Sequence, residues 1–169
     1  MRRTYLFAAI LFVAAMLLST QSLTERSARA QMQTDGHYQY AVKFVCGRSA
    51  PGTTQSQVVA TGTYFTAINV HNPFAATAKF SKKFVVALPN ETPGMISHFF
   101  EAALKSDEAF EIDCNEILAK TPMHSPFRKG FVVIESQTEL DVVAVYTAAG
   151  STGQVETMEL ERVPARRIP

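Results

Sequence analysis

From Tyr38 onward, apolar residues recur at every second position in short runs that end at Gly, Pro or Asn. That period belongs to extended chain, in which successive side chains point to opposite faces. Such a run has one face to bury and nothing within itself to bury it against, so it needs a second layer of strands. Tyr38, Tyr40, Val42, Phe44 and Cys46 share one face of the first run, with Gln39 and Lys43 opposite. GRSAPG (Gly47 to Gly52) is expected to interrupt it. Val58 to Asn72 reads as one or two strands with Tyr64, Thr66, Ile68 and Val70 on one side and a bend at Gly62. Asn72-Pro73 stops it, because proline lacks a donor and bars the helical conformation before it. Ala78 to Leu88 follows, with Phe80, Phe84, Val86 and Leu88 on one face and Lys79, Ser81 and Lys83 on the other.

Ile96 to Leu104 fits a strand pair or a short helix, and the turn-like KSDE after it favours the strands. Asp113 is placed to cap one helical turn over Cys114 to Lys120. Phe131 to Glu135 and Leu140 to Thr147 are apolar on both faces, which predicts central strands joined by a tight hairpin over Ser136 to Glu139. Val155 to Val163 is charge-laced and suits an edge. The pattern predicts an all-β fold: a single antiparallel β-sandwich, immunoglobulin-like, of seven to eight strands with one short helical turn. A closed barrel is the alternative. The sandwich is expected over residues 38–164, with 31–37 an N-terminal segment and 165–169 a C-terminal tail.

Ahead of this lies Met1-Arg2-Arg3, then an uncharged run of 14 residues from Tyr5 to Leu18, and a small-x-small site at Ala28-Arg29-Ala30. A basic start, an apolar stretch and an A-x-A end read as a secretory signal peptide over residues 1–30, cleaved between Ala30 and Gln31. The run is shorter than the ~20 residues that span a bilayer as a helix, although a retained anchor is the rival reading. The expected location is secreted or periplasmic, with membrane contact only through an uncleaved leader. Loss of Arg2, Arg3, Arg26, Arg29 and Glu25 takes the 16 basic and 15 acidic residues to 12 and 14, a net charge of −2. That balance offers no electrostatic basis for nucleic-acid binding. The one basic cluster, Arg162, Arg166 and Arg167, reads as a solvated terminus.

Cys46 and Cys114 are the only cysteines, and both end predicted strands. In an oxidising compartment they are disulfide candidates; two buried free thiols are the plainer alternative. A third reading adds His71, also at a strand end, to make a Cys46–His71–Cys114 metal site with soft ligands suited to copper or zinc. A lone histidine before Asn-Pro, as His71 is, is more often a hydrogen-bonded turn residue. No G-x-S-x-G, H-E-x-x-H, C-x-x-C or phosphate-cradling glycine loop is present. Asp113 and Asp141 would serve acid–base chemistry only if brought together. Phe99-Phe100 is the one adjacent aromatic pair, and along a strand one ring would face outward. No catalytic residue, cofactor or enzymatic role is expected.

YAVKFVCG (Tyr40 to Gly47), GTYFTAINVHNP (Gly62 to Pro73), FEIDCNEI (Phe110 to Ile117), GFVVIES (Gly130 to Ser136) and LDVVAVYTA (Leu140 to Ala148) resemble segments of an uncharacterised family of small, often secreted prokaryotic proteins. The strand order, with its apolar segments near the end, is similar to the β-sandwich of sensory rhodopsin transducer proteins. The resemblance implies a sandwich and carries no chemistry. The expected function is binding or structural association with a protein or cell-envelope partner. The alternative is a small-ligand or metal-binding module at the pole holding Cys46, His71 and Cys114.

Overall fold

The computed structural model describes residues 37–50, 60–150 and 152–168. The leader and its cleavage site at Ala30 and Gln31 lie outside the described residues. Ten strands and one helix follow in chain order: β1 (His37–Ser49), β2 (Gly62–His71), β3 (Ala78–Ala87), β4 (Pro93–Ile96), β5 (Phe100–Leu104), β6 (Ala109–Asp113), α1 (Cys114–Lys120), β7 (Phe127–Ser136), β8 (Asp141–Ala149), β9 (Val155–Arg162) and β10 (Arg166–Ile168). Neighbouring strands run β4-β3-β7-β1-β2-β8-β9, with β5 beside β3, β6 beside β2 and β10 beside β1. All pairs are antiparallel. The path has two ends, so the sheet is open and not a barrel.

The layering comes from one corner. β1 pairs with β7 from Tyr38 to Gly47, but with β2 only where Gly47–Ser49 meets Gly62–Tyr64. Past that corner the two strands part, and each carries its own sheet. One layer holds β3, β7 and β1; the other holds β6, β2 and β8. Their inner faces form a single buried cluster, with Tyr40, Val42, Phe44, Phe84, Val132 and Ile134 from one side and Ile68, Val70, Ile112 and Val142 from the other. The alternation expected along β1, β2 and β3 is the alternation that is buried.

Three expectations change. The strands number ten, because Ile96–Leu104 lies across β4 and β5 and because the expected tail, Arg166–Ile168, pairs with His37–Gln39 of β1. β1 runs through Gly47 to Ser49: Gly47 takes φ +95, and a Cβ there would meet the Pro126 carbonyl oxygen at 1.9 Å, so the expected breaker is an accommodated kink. Ser136 to Glu139 is no hairpin. β7 lies between β3 and β1, while β8 lies between β2 and β9, so this segment carries the chain from one layer to the other. Tyr40 anchors its end: the phenol donates to the Leu140 carbonyl at 2.9 Å and accepts from the Leu140 amide at 2.7 Å. Two apolar strands adjacent in sequence need not pair with each other, since each finds its partners elsewhere in the chain.

Candidate functional site

Cys46 and Cys114 are joined by a disulfide, with Cα atoms 5.5 Å apart and a sequence separation of 68. The bond spans the place where β1 and β2 separate. Thr66 fills the same gap: its hydroxyl accepts from the Val45 amide at 3.0 Å and donates to the Val45 carbonyl at 3.1 Å, continuing with a side chain the ladder that the backbone abandons. The Thr66 amide donates to the Cys114 sulfur at 3.0 Å. Both cysteines are buried. Bonded to each other, they offer no thiolate to a metal.

His71 is not with them. It stands at the far end of β2, in register with Asp141 and Ala109, whereas Cys114 lies beside Thr66. Five residues of extended chain separate the two places by roughly 16 Å. The Cys46–His71–Cys114 metal site is therefore not assembled, and a small-ligand site on those three residues is not assembled either. His71 Nδ1 lies 3.3 Å from Asp141 Oδ2, and its Nε2 lies 3.9 Å from Asp107 Oδ1. Asp141 also accepts from Arg162 at 3.0 Å. The imidazole thus lies between two carboxylates. Among the described residues no group of three or more His, Cys, Asp or Glu side chains is placed to hold a metal ion. Asp113 caps α1, accepting from the Glu116 amide at 2.9 Å, and sits four positions from Asp141 along the β2 register, so the two carboxylates do not act together.

The residue after His71 is the structural centre of this end. The Asn72 side chain, fully buried, donates to the carbonyls of Ala76, Leu104 and Lys105 at 2.8, 3.0 and 3.0 Å, and accepts from the Phe74 amide at 3.1 Å. Its backbone bonds Glu108 and Asp107. It thus clamps the β2–β3 turn to the β5–β6 turn. Lys82 is a second residue that the alternation hides. It has the parity of Phe80 and Phe84, so it points inward, and its ammonium sits 4.8 Å from the Phe110 ring centroid and 2.9 Å from Glu116. Its place among the inward positions of β3 was readable from that parity.

An exposed apolar feature lies on β9. All eight of its residues are exposed, and Val155, Met158 and Leu160 are 63%, 75% and 69% accessible. β9 ends the strand order, so its outer edge is unpaired among the described residues. Met158 and Leu160 stand beside Thr147 and Val145 of β8, which stand beside Phe65 and Ala67 of β2, giving an apolar strip three strands wide. On the reverse face the Tyr146 phenol donates to Glu161 at 3.0 Å, and burial together with that carboxylate pushes the Tyr146 pKa well above the usual phenol range. Of the aromatic pair, Phe100 packs on the core while Phe99 is 38% exposed. The arginine cluster is dispersed: Arg162 pairs with Asp141, Arg166 bonds Gln39, and Arg167 lies over the Tyr38 ring at 5.4 Å.

No family model matches the chain, and no curated protein matches it. Among solved structures it is similar to Thermotoga maritima 1070, with a TM-score of 0.46 and 10% identity over 76% of this chain and 92% of that one.

Proposed function

We propose that this chain is an exported, non-enzymatic binding module whose free β9 edge takes up an extended segment of a protein or cell-envelope partner. The observation that carries the reading is β9 itself, an edge strand exposed at every position with three large apolar side chains in the open. An unpaired edge offers main-chain donors and acceptors to an added strand, and alternate side chains give that addition its selectivity. Glu156, Glu159 and Glu161 against Arg162 make the edge acidic, which favours a partner strand bearing Lys or Arg. Export is supported by the leader pattern and by the disulfide, a bond that persists in oxidising compartments.

A photo-reactive residue at position 158, expressed in the native host, tests this. Crosslinking to a discrete partner that is lost when Val155→Lys and Leu160→Lys are added to the probe-bearing chain, with the melting temperature unchanged, is the expected result. Labelling no stronger than from an equivalent probe at Ser81 refutes the edge as a docking site. A crosslinked homodimer as the sole product refutes the separate partner and assigns the edge to self-association.

A further inference from the structure

The outer face of the β3-β7-β1 layer carries a second feature, unconnected with β9. Register places Lys43 beside Phe131, Phe131 beside Val85, and Val85 beside Ile96, in one row across four strands. The adjacent rows set Lys83 beside Val133 and Lys129 beside Val45. Ile96 is 64% exposed, and Phe131 and Phe99 are each 38% exposed. Lys43 hangs over the Phe131 ring at 4.9 Å and Lys83 over the Phe99 ring at 4.3 Å. None of the three lysines has a carboxylate partner among the described residues, whereas Lys82, Lys105 and Arg162 each do. The acidic groups of this face, Glu101 and Glu135, are both in register with Ser81, one row beyond Lys83 and two or more rows from Lys43 and Lys129, and Glu135 is engaged by Gln39 at 2.7 Å. Partial burial, with Lys129 nearby, pushes the Lys43 ammonium below its usual range, so an approaching anion relieves a repulsion already present.

We propose that this face docks on an anionic membrane surface, with Ile96, Phe99 and Phe131 entering the headgroup–acyl boundary and Lys43, Lys83 and Lys129 meeting lipid phosphates. Three features favour a bilayer over a soluble polyanion. The face is a sheet with no enclosing wall, and two strand spacings with a two-residue offset separate Lys43 from Lys83 by roughly 12 Å at the backbone, so the cations flank apolar side chains. The exposed aliphatic groups have hydrocarbon to gain and nothing to gain from a hydrated polysaccharide. The apolar run Tyr5–Leu18 also directs the chain to a membrane on its way out of the cytosol.

Flotation of the chain from Gln31 to Pro169 decides the matter, since the disulfide, the core and every paired strand fall within it. Vesicles of equal parts phosphatidylcholine and phosphatidylglycerol should carry the protein and pure phosphatidylcholine should not. Each lysine contributes about fivefold in partitioning, so Lys43→Gln/Lys83→Gln/Lys129→Gln should fall roughly 100-fold. Ile96→Ser, an open site that tolerates the change, should also weaken flotation while all charges remain. Met158→Ser on β9 should leave it unchanged, which separates this surface from the edge strand. Absence of flotation on anionic vesicles at low salt overturns the proposal. So does flotation insensitive to Ile96→Ser and matched by binding to soluble polyglutamate, which would mark a general polyanion site.

Discussion

Lys82 on β3 and Glu116 on α1 lie 2.9 Å apart, and their ion pair ties that strand to the helix that follows β6. The side chains are 11% and 29% exposed, so the pair is largely withdrawn from water without being sealed from it. Removing one member leaves the other poorly solvated. Glu116→Gln should lower stability by about 1–3 kcal/mol, measured by urea unfolding. Lys82→Met/Glu116→Leu, which removes both charges and keeps the volume, should return to within about 1 kcal/mol of the parent. A double variant no better than the single would show that the charges themselves hold the helix in place.

The disulfide closes a 68-residue loop, and on the chain-entropy account its loss should cost about 4 kcal/mol. Cys46→Ala/Cys114→Ala avoids burying lone hydroxyls and isolates that effect. The denaturant midpoint of the oxidised parent should exceed that of the variant, and reduction of the parent should bring the two together. Equal midpoints before reduction would mean that Thr66 alone holds the corner.

Asn72→Ala removes a buried amide and leaves the carbonyls of Leu104 and Lys105 without that donor. A loss of about 2–4 kcal/mol is expected, the range for breaking a buried polar network. Asn72→Asp should be worse than Asn72→Ala, because a carboxylate there meets three carbonyl oxygens. Hydrogen exchange on Phe74 and Asp107, whose amides bond Asn72, should speed up ahead of the core strands.

Alkaline pH should weaken the fold. Burial holds the pKa values of both Tyr40 and Tyr146 above the ordinary 10.0. Above the unfolded pKa the unfolded chain loses protons that these two phenols keep in the native state, so native stability is complete below pH 10.0 and declines above it. Near-UV absorbance titration should show two tyrosines ionising late, together with loss of structure. Tyr40→Phe should remove part of that decline, at the price of the bonds to Leu140. A melting temperature flat across the alkaline range would contradict the burial assigned to these rings.

What the chain disclosed in advance follows a physical line. Parity along β1, β2 and β3 is a local property, so Tyr40, Phe44, Ile68 and Phe84 were legible as core, and the Asp113 cap was legible from its spacing to Glu116. Which strand lies beside which is not local. Val132 to Ile134 and Val142 to Val145 read as a hairpin because they are adjacent in sequence and equally apolar, yet each is apolar because its layer is covered on one side and flanked on both. Lys82 escaped notice because a lysine on a strand reads as wet, although its position between Phe80 and Phe84 says otherwise. His71 was readable as a turn residue, but its partner Asp141 lies 70 residues further on and no spacing rule reaches that far. The motifs YAVKFVCG and TAINVHNP resolve into structural roles: the corner with its disulfide, Thr66 and the Asn72 clamp.

The pairing of Tyr38 with Ser136 sets the order of assembly. A chain emerging amino end first presents β1 with no neighbour along most of its length until β7 has followed it. The first half has a corner and an edge to form, but no completed layer, so stable structure arrives late and nearly at once. Such long-range closure makes folding slow relative to local topologies.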